Sequence, residues 1–172
     1  MFAIRSTIMK RQDALTNIVV VGIGQTLRGD DAAGLEAVRR WEARYPDSAG
    51  RPGLRVEISE LPGLDLLNLL EGAQAAVIVD AVRSSAPPGK IHRLSPDDLA
   101  AFTPDASSAH GWGVAETLQL GRTLSPSLAK CRLTLIGIEA GQMSMGAGLS
   151  PEVERVIDAA SDLIEKALKA LL

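Results

Sequence analysis

The sequence predicts an α/β protein: one doubly wound domain with a mainly parallel central sheet of about five strands and helices on both faces. Three observations carry that expectation. Apolar, β-branched segments alternate along the chain with segments of helical periodicity. Ala75 to Val79, AAVIV, is apolar throughout, as a parallel strand covered on both faces is. Asn17 to Gly34, NIVVVGIGQTLRGDDAAG, runs from strand through glycine turn to helix start, the form in which open α/β sheets build a site at a strand's carboxyl end.

Each element follows in order. Ile18 to Val21 is the first strand. Leu35, Val38, Trp41 and Tyr45 then recur at helical spacing, and Pro46 ends that helix because proline disfavours the αR conformation in the residue before it. Pro46 to Gly53 reads as a polar loop, and Leu54 to Ser59 alternates apolar and charged residues as a half-buried strand does. Pro62-Gly63 opens a short apolar helix, Leu64 to Leu70, and the Ala75 strand ends on Asp80. Ala86-Pro87-Pro88-Gly89 is a turn before an edge strand, Lys90 to Leu94. Ser95-Pro96-Asp97-Asp98 supplies a cap, a proline at the first helical position and first-turn acids for a brief helix to about Phe102. After a polar loop, Thr103 to Ser108, comes Ala109-His110-Gly111, and a helix from about Trp112 carries Val114, Leu118 and Leu124. Leu133 to Ile138 is a further buried strand and Gly141 to Gly148 a loop. Ser150-Pro151-Glu152 caps a last helix whose apolar stripe runs unbroken from Val153 to Leu171.

Composition narrows the function classes. With 172 residues, 46% of them hydrophobic, the chain can bury one full core. Residues 17–172 are assigned to that domain and residues 1–16 to a flexible N-terminal extension, with Met9 as an alternative start. The extension lacks the sustained apolar region of a signal peptide. A net charge of −3 arises from interspersed charges with no basic block, which argues against nucleic acid as a partner. No apolar run approaches the roughly 20 residues that span a bilayer, so no membrane partner is expected. Cys131 stands alone, which excludes an internal disulfide or a cysteine cluster, fits a reducing, cytoplasmic setting and reads as a small buried residue near a strand. The sequence leaves the oligomeric state open, with a monomer favoured.

Ligands of such sheets bind outside the carboxyl ends of the strands, so the Gly22 to Asp31 turn and Asp80 are expected to share one crevice. A phosphate suits that crevice poorly. Asp30 and Asp31 stand where it would lie, and Gly22, Gly24 and Gly29 do not give the spacing of the dinucleotide fingerprint. A cation is the better guest: Asp31 and Asp80 offer hard oxygen ligands, and one imidazole would make a mixed site suited to zinc, nickel or iron. His92 lies within the short edge strand and reads as a side chain on a sheet face, whereas His110 lies in a loop at a helix entry, where it can be aimed inward. Plainer roles exist for each residue. Asp30 reads as the helix N-cap, Asp80 reads equally as a ligand or as a hydrogen-bond partner of the next turn, and a lone loop histidine is most often a surface residue. Gly22, Gly24, Gln25 and Asp30 are the turn-shaping set. Glu139, after the last strand, is a weak candidate for the crevice, and Met143 and Met145 either line a binding surface or, by preference, pack within their loop.

The stretch Gly22-Ile23-Gly24-Gln25-Thr26-Leu27-Arg28-Gly29-Asp30-Asp31-Ala32-Ala33-Gly34 resembles the G-x-G-N-x-L-x-x-D-(D/E)-x-x-G motif of the NiFe-hydrogenase maturation endopeptidases. The similarity continues through Val77 to Ala81, Ala109-His110-Gly111, Leu135 to Glu139 and Gly148 to Val153, and so covers nearly all the chain after Asn17. The sequence departs from the family at Gln25, where an asparagine is usual, and at Glu60-Leu61-Pro62-Gly63, which is less glycine-rich. The resemblance implies an endopeptidase, of aspartic type in its use of carboxylates, that removes the C-terminal extension of a hydrogenase large-subunit precursor after nickel insertion and so activates that enzyme. It implies that Asp31, Asp80 and His110 are the catalytic and metal-binding residues, meeting nickel carried by the precursor, with no permanently bound cofactor. Two rival expectations are a non-catalytic nickel- or precursor-binding chaperone and a different small α/β hydrolase acting on nucleotides or nucleosides. Aromatic residues at 3% leave few platforms on which a base could stack, which disfavours the last.

Overall fold

A computed structural model describes residues 17–60, 63–101 and 113–172 of the chain. Its centre is a sheet of five strands, β1 (Ile18–Ile23), β2 (Leu54–Ser59), β3 (Ala75–Val82), β4 (Ile91–Leu94) and β5 (Arg132–Glu139). They lie in the order β2-β1-β3-β5-β4, all parallel except β4, which runs antiparallel to β5 at the edge. The apolar residues of β1, β3 and β5, many of them β-branched, explain why these three take the centre: their side chains pack on both faces of a pleated surface. β2 is only half-buried, as its alternating sequence implies.

The helices are α1 (Ala33–Arg44), α2 (Pro46–Ala49), α3 (Asp65–Leu69), α4 (Pro96–Ala101), α5 (Val114–Leu124), α6 (Pro126–Lys130), α7 (Pro151–Glu154) and α8 (Ile157–Leu171). They divide the core by sheet face. Val20, Val77, Val79, Ile136 and Ile138 meet Val38 and Trp41 of α1 and Ile157, Ile164 and Leu168 of α8. Val19, Val21, Ala76, Ile78 and Leu135, one residue out of step as the pleat requires, meet Leu66 of α3, Leu118 of α5 and Leu128 of α6. Cys131 is buried on this second face beside the start of β5, and burial raises its thiol pKa.

Several sequence expectations change. Pro46 to Gly53 is not all loop, because Pro46 starts the single turn of α2, closed by Ala49 N–H to Tyr45 O at 3.0 Å. α6 is likewise absent from the sequence expectation, although Ser125-Pro126 starts it in the same manner and the Ser125 hydroxyl accepts from Leu128 N–H at 3.4 Å. β3 runs on to Val82 because β5 continues to pair with it at Ala81 and Val82, so Asp80 lies within the strand and does not end it. The last helix is interrupted: it tightens at Val156, whose N–H bonds Val153 O at 3.0 Å, and resumes as α8. Leu124, placed in the sequence among the apolar positions of α5, is exposed. The expected caps are present at Ser95, which exchanges bonds with Asp98, and at Ser150, which accepts from Val153 N–H. The assignment of residues 1–16 as an extension, Pro62, and the loop from Phe102 to Trp112 fall outside the described residues. No described helix is long and apolar enough to cross a membrane.

Candidate active site

The chain reverses direction across the sheet between β1 and β3. From β1 it passes through α1 to β2 on one side, then through α3 to β3 on the other. α1 and α3 cover opposite faces, so the carboxyl ends of β1 and β3 flank the switch-point crevice in which open α/β sheets bind ligands.

Glycines bring the walls of that crevice together. Gly34, in the first turn of α1, sits against the carbonyl oxygens of both Ile23 and Val79, and a Cβ there would overlap the two oxygens. Gly22 has Gly34 O 2.9 Å from where its own Cβ would stand, so strand and helix touch backbone to backbone. Gly24 has φ +149°, and a Cβ there would overlap Asp31 O. Gln25 shapes the turn through its backbone, its carbonyl accepting from Arg28 N–H at 3.2 Å. The helix does not begin directly at the acids. Gly29–Ala32 form one turn of 3-10 helix, with Asp31 N–H on Arg28 O, and α1 follows.

This packing places Asp31, which is 3% exposed, beside Asp80 on β3. Burial pushes the Asp80 carboxyl up to about 8, the negative charge of Asp31 pushes the same way, and a hydrogen bond from Ala81 N–H opposes both only in part. Near neutral pH Asp80 therefore holds a proton that a nearby cation would displace. Two of the three residues singled out for the crevice are thus brought together. His110 lies outside the described residues. α5, which begins four residues further along at Val114, packs on the sheet face from which Asp80 projects. Among the described residues, no group of three His, Cys, Asp or Glu side chains is arranged to hold a metal, so the described part of the crevice offers two carboxylates.

Asp30 departs from its expected role. It makes no capping bond to its own helix. Its carboxylate instead accepts from Gly141 N–H at 2.8 Å, Gln142 N–H at 2.9 Å, Ser150 N–H at 2.6 Å and Ser150 Oγ at 2.9 Å. Ser150, legible in the sequence only as the cap of α7, also donates to Asp30 through both its N–H and its hydroxyl. Met145 does not pack within its loop but is 75% exposed. Glu139 is buried at the end of β5, where it accepts from Ser84 N–H and from Ser84 Oγ at 2.9 Å and meets His92 Nε2 at 2.9 Å. By register, Asp80 and His92 both pair with Gly137 and Val82 pairs with Glu139, so this cluster stands on the same sheet face as Asp80. His92 thus lies on a sheet face, as strand alternation implies. Ser84 escaped sequence reasoning because nothing local marks it.

Residues 61–167 match the model of the HycI hydrogenase maturation protease family. The chain is 31% identical to the hydrogenase 2 maturation protease of Escherichia coli over 157 residues, covering 88% of this chain and 90% of that one. The chain belongs to the hydrogenase maturation protease family. Solved structures agree. The hydrogenase maturating endopeptidase HybD of E. coli superposes with a TM-score of 0.71 at 27% identity, over 90% of this chain and 93% of that one. HybD of Thermococcus kodakarensis does so with a TM-score of 0.66 at 27% identity, over 88% and 99%. This maturation protease is accordingly an endopeptidase, a hydrolase of peptide bonds.

Proposed function

We propose that this maturation protease removes the C-terminal extension of a NiFe-hydrogenase large-subunit precursor after nickel insertion, and that Asp31, Asp80 and His110 read the nickel. The observation that carries this is the forced proximity of Asp31 and Asp80 at the switch-point crevice of a chain in this family. Two carboxylates held close together, one buried and one half-buried, repel each other, and the repulsion ends when a divalent cation enters between them. The nickel arrives with the precursor and is part of the substrate.

Asp31 and Asp80 contribute oxygen donors and His110 a nitrogen donor, a set that suits a borderline transition ion better than magnesium or calcium. Once gripped, the ion is a Lewis acid beside the bond to be cut, able to polarise a carbonyl or acidify a water. The chain's own residues orient the precursor, and Asp80 gives up its proton as the ion enters. The substrate is a protein of the same compartment, the cytoplasm, and the enzyme acts on it as a monomer.

The test incubates the purified protease with nickel-loaded and nickel-free precursor and follows the smaller product by mass. Cleavage confined to the loaded form is expected; equal cleavage of both overturns the nickel-reading model. His110→Ala is expected to abolish processing at unchanged thermal stability.

A further inference from the structure

Asp30 is the acid that the cleavage chemistry leaves unused, yet it is the more deeply buried of the adjacent pair, with 0% exposure. A carboxylate withdrawn from water is costly unless donors surround it. Here the four donors all come from one segment, the loop between β5 and α7. Charge-assisted bonds of this kind are shorter and stronger than neutral ones. Three backbone bonds run beside them: Gly29 N–H to Ala147 O at 3.1 Å, Asp30 N–H to Gln142 O at 2.8 Å and Gly146 N–H to Leu27 O at 2.7 Å. The loop is fastened along residues 27–30 and held at its centre by the carboxylate.

The neighbouring Asp31 is therefore fixed from two sides. Gly34, three residues on, locks the turn against β1 and β3, and Asp30, one residue back, locks it against the β5–α7 loop. That loop faces solvent: Gln142 and Met145 are exposed, and so is Leu27 on the segment fastened to it. We propose that Asp30 is a positioning residue for the cleavage reaction, tying the β5–α7 loop to the Gly29–Ala32 turn and thereby holding Asp31 against Asp80. The acid pair then depends on a loop that a docking precursor can press upon. This deepens the reading above and rests on Asp31 and Asp80 acting as a pair; it does not rest on nickel.

A merely structural Asp30 would lower stability and leave the pair alone, so the deciding readout is the pair itself. The coupling between Asp31→Asn and Asp80→Asn is measured as a double-mutant cycle by urea denaturation, first in the wild-type background and then with Asp30→Asn. The Asp30→Asn change keeps the side chain's shape but turns an amide donor towards donors. The coupling is expected to collapse in that background, while kcat for precursor cleavage falls roughly a hundredfold and KM stays within about threefold, as a displaced catalytic group costs. Ser150→Ala removes one of the four donors and leaves both acids in place, so a smaller loss in the same direction is expected; it carries the test if Asp30→Asn does not fold. Unchanged coupling with unchanged kcat per folded molecule overturns the proposal, as does the absence of any coupling in the wild type. Equal cleavage of nickel-loaded and nickel-free precursor would remove the nickel reading alone, since the coupling is measured without either.

Discussion

At the seam between α1 and α8, Glu165 is buried under a full set of donors, whereas in the crevice the half-buried Asp80 stands against another acid. Burial alone would push Glu165 up, but hydrogen bonds from Trp41 Nε1 at 2.9 Å and Ser48 Oγ at 2.8 Å and the Lys169 ammonium at 3.0 Å outweigh it, and its carboxyl sits below the usual range. Asp80 has burial and the Asp31 charge acting together and one backbone donor against them, and its carboxyl is raised to about 8. The seam is built to be stable in isolation. The crevice is left electrostatically incomplete, and a group kept so in a folded protein points to a partner that completes it.

The crevice is most sensitive where backbone meets backbone. Gly34→Ala would drive a methyl group into Ile23 O and Val79 O, atoms that cannot turn aside as a side-chain end can. A loss of about 3 kcal/mol in urea denaturation is expected, with cleavage lost. At the seam, Glu165→Ala strips the buried Trp41 Nε1 and the half-buried Ser48 Oγ of their acceptor. The expected cost is about 2 kcal/mol, with cleavage by the folded fraction unchanged. If Gly34→Ala proves as mild as a surface change, the close approach that brings Asp31 to Asp80 is not rigid.

What the sequence made legible follows the range of the interactions concerned. β1, β3 and β5 announce themselves through β-branched runs, and Ser95 and Ser150 as caps, because the signals lie within a few residues. α2 and α6 escape since a turn of four or five residues has no periodicity to detect. The end of β3 is set by its neighbour β5 rather than by its own sequence. Asp30 and Asp31 are the clearest case. Both are acids at a helix start, and nothing local separates a capping aspartate from one whose partners lie 111, 112 and 120 residues away. The crevice was legible because topology alone brings the ends of β1 and β3 together. The loop fastened to residues 27–30 was not, because its contacts depend on tertiary packing.

Titration separates the two acids by sign. Asp80 has its carboxyl raised from an ordinary 3.8 to about 8, so the folded state holds a proton that the unfolded chain has released. Its contribution to stability is fully present below the unfolded value and is lost as pH rises through the folded one. Glu165 is lowered, so its contribution is present above its unfolded value and is lost as pH falls through the folded one. Asp80→Asn should therefore remove a decline in stability between about pH 4 and pH 8, and Glu165→Gln a decline on the acid side. Thermal melts across pH would show this, and an Asp80→Asn profile parallel to wild type would mean that the acid pair is not strained.

The smallest effect belongs to the solvent side of the seam, where Arg40 bonds Asp158 across α1 and α8 and Arg44 meets Asp162 at 2.9 Å. All four side chains are more than a third exposed, so water and salt screen the attraction and ordering the long arginines offsets much of the rest. Arg40→Ala should change stability by less than about 0.5 kcal/mol, and by less still at high salt. A larger loss, undiminished by salt, would mean that the surface pair rather than the Trp41–Glu165 bond anchors α8. The seam would then depend on exposed charge, and the contrast between a self-sufficient seam and an incomplete crevice would fail at its stable end.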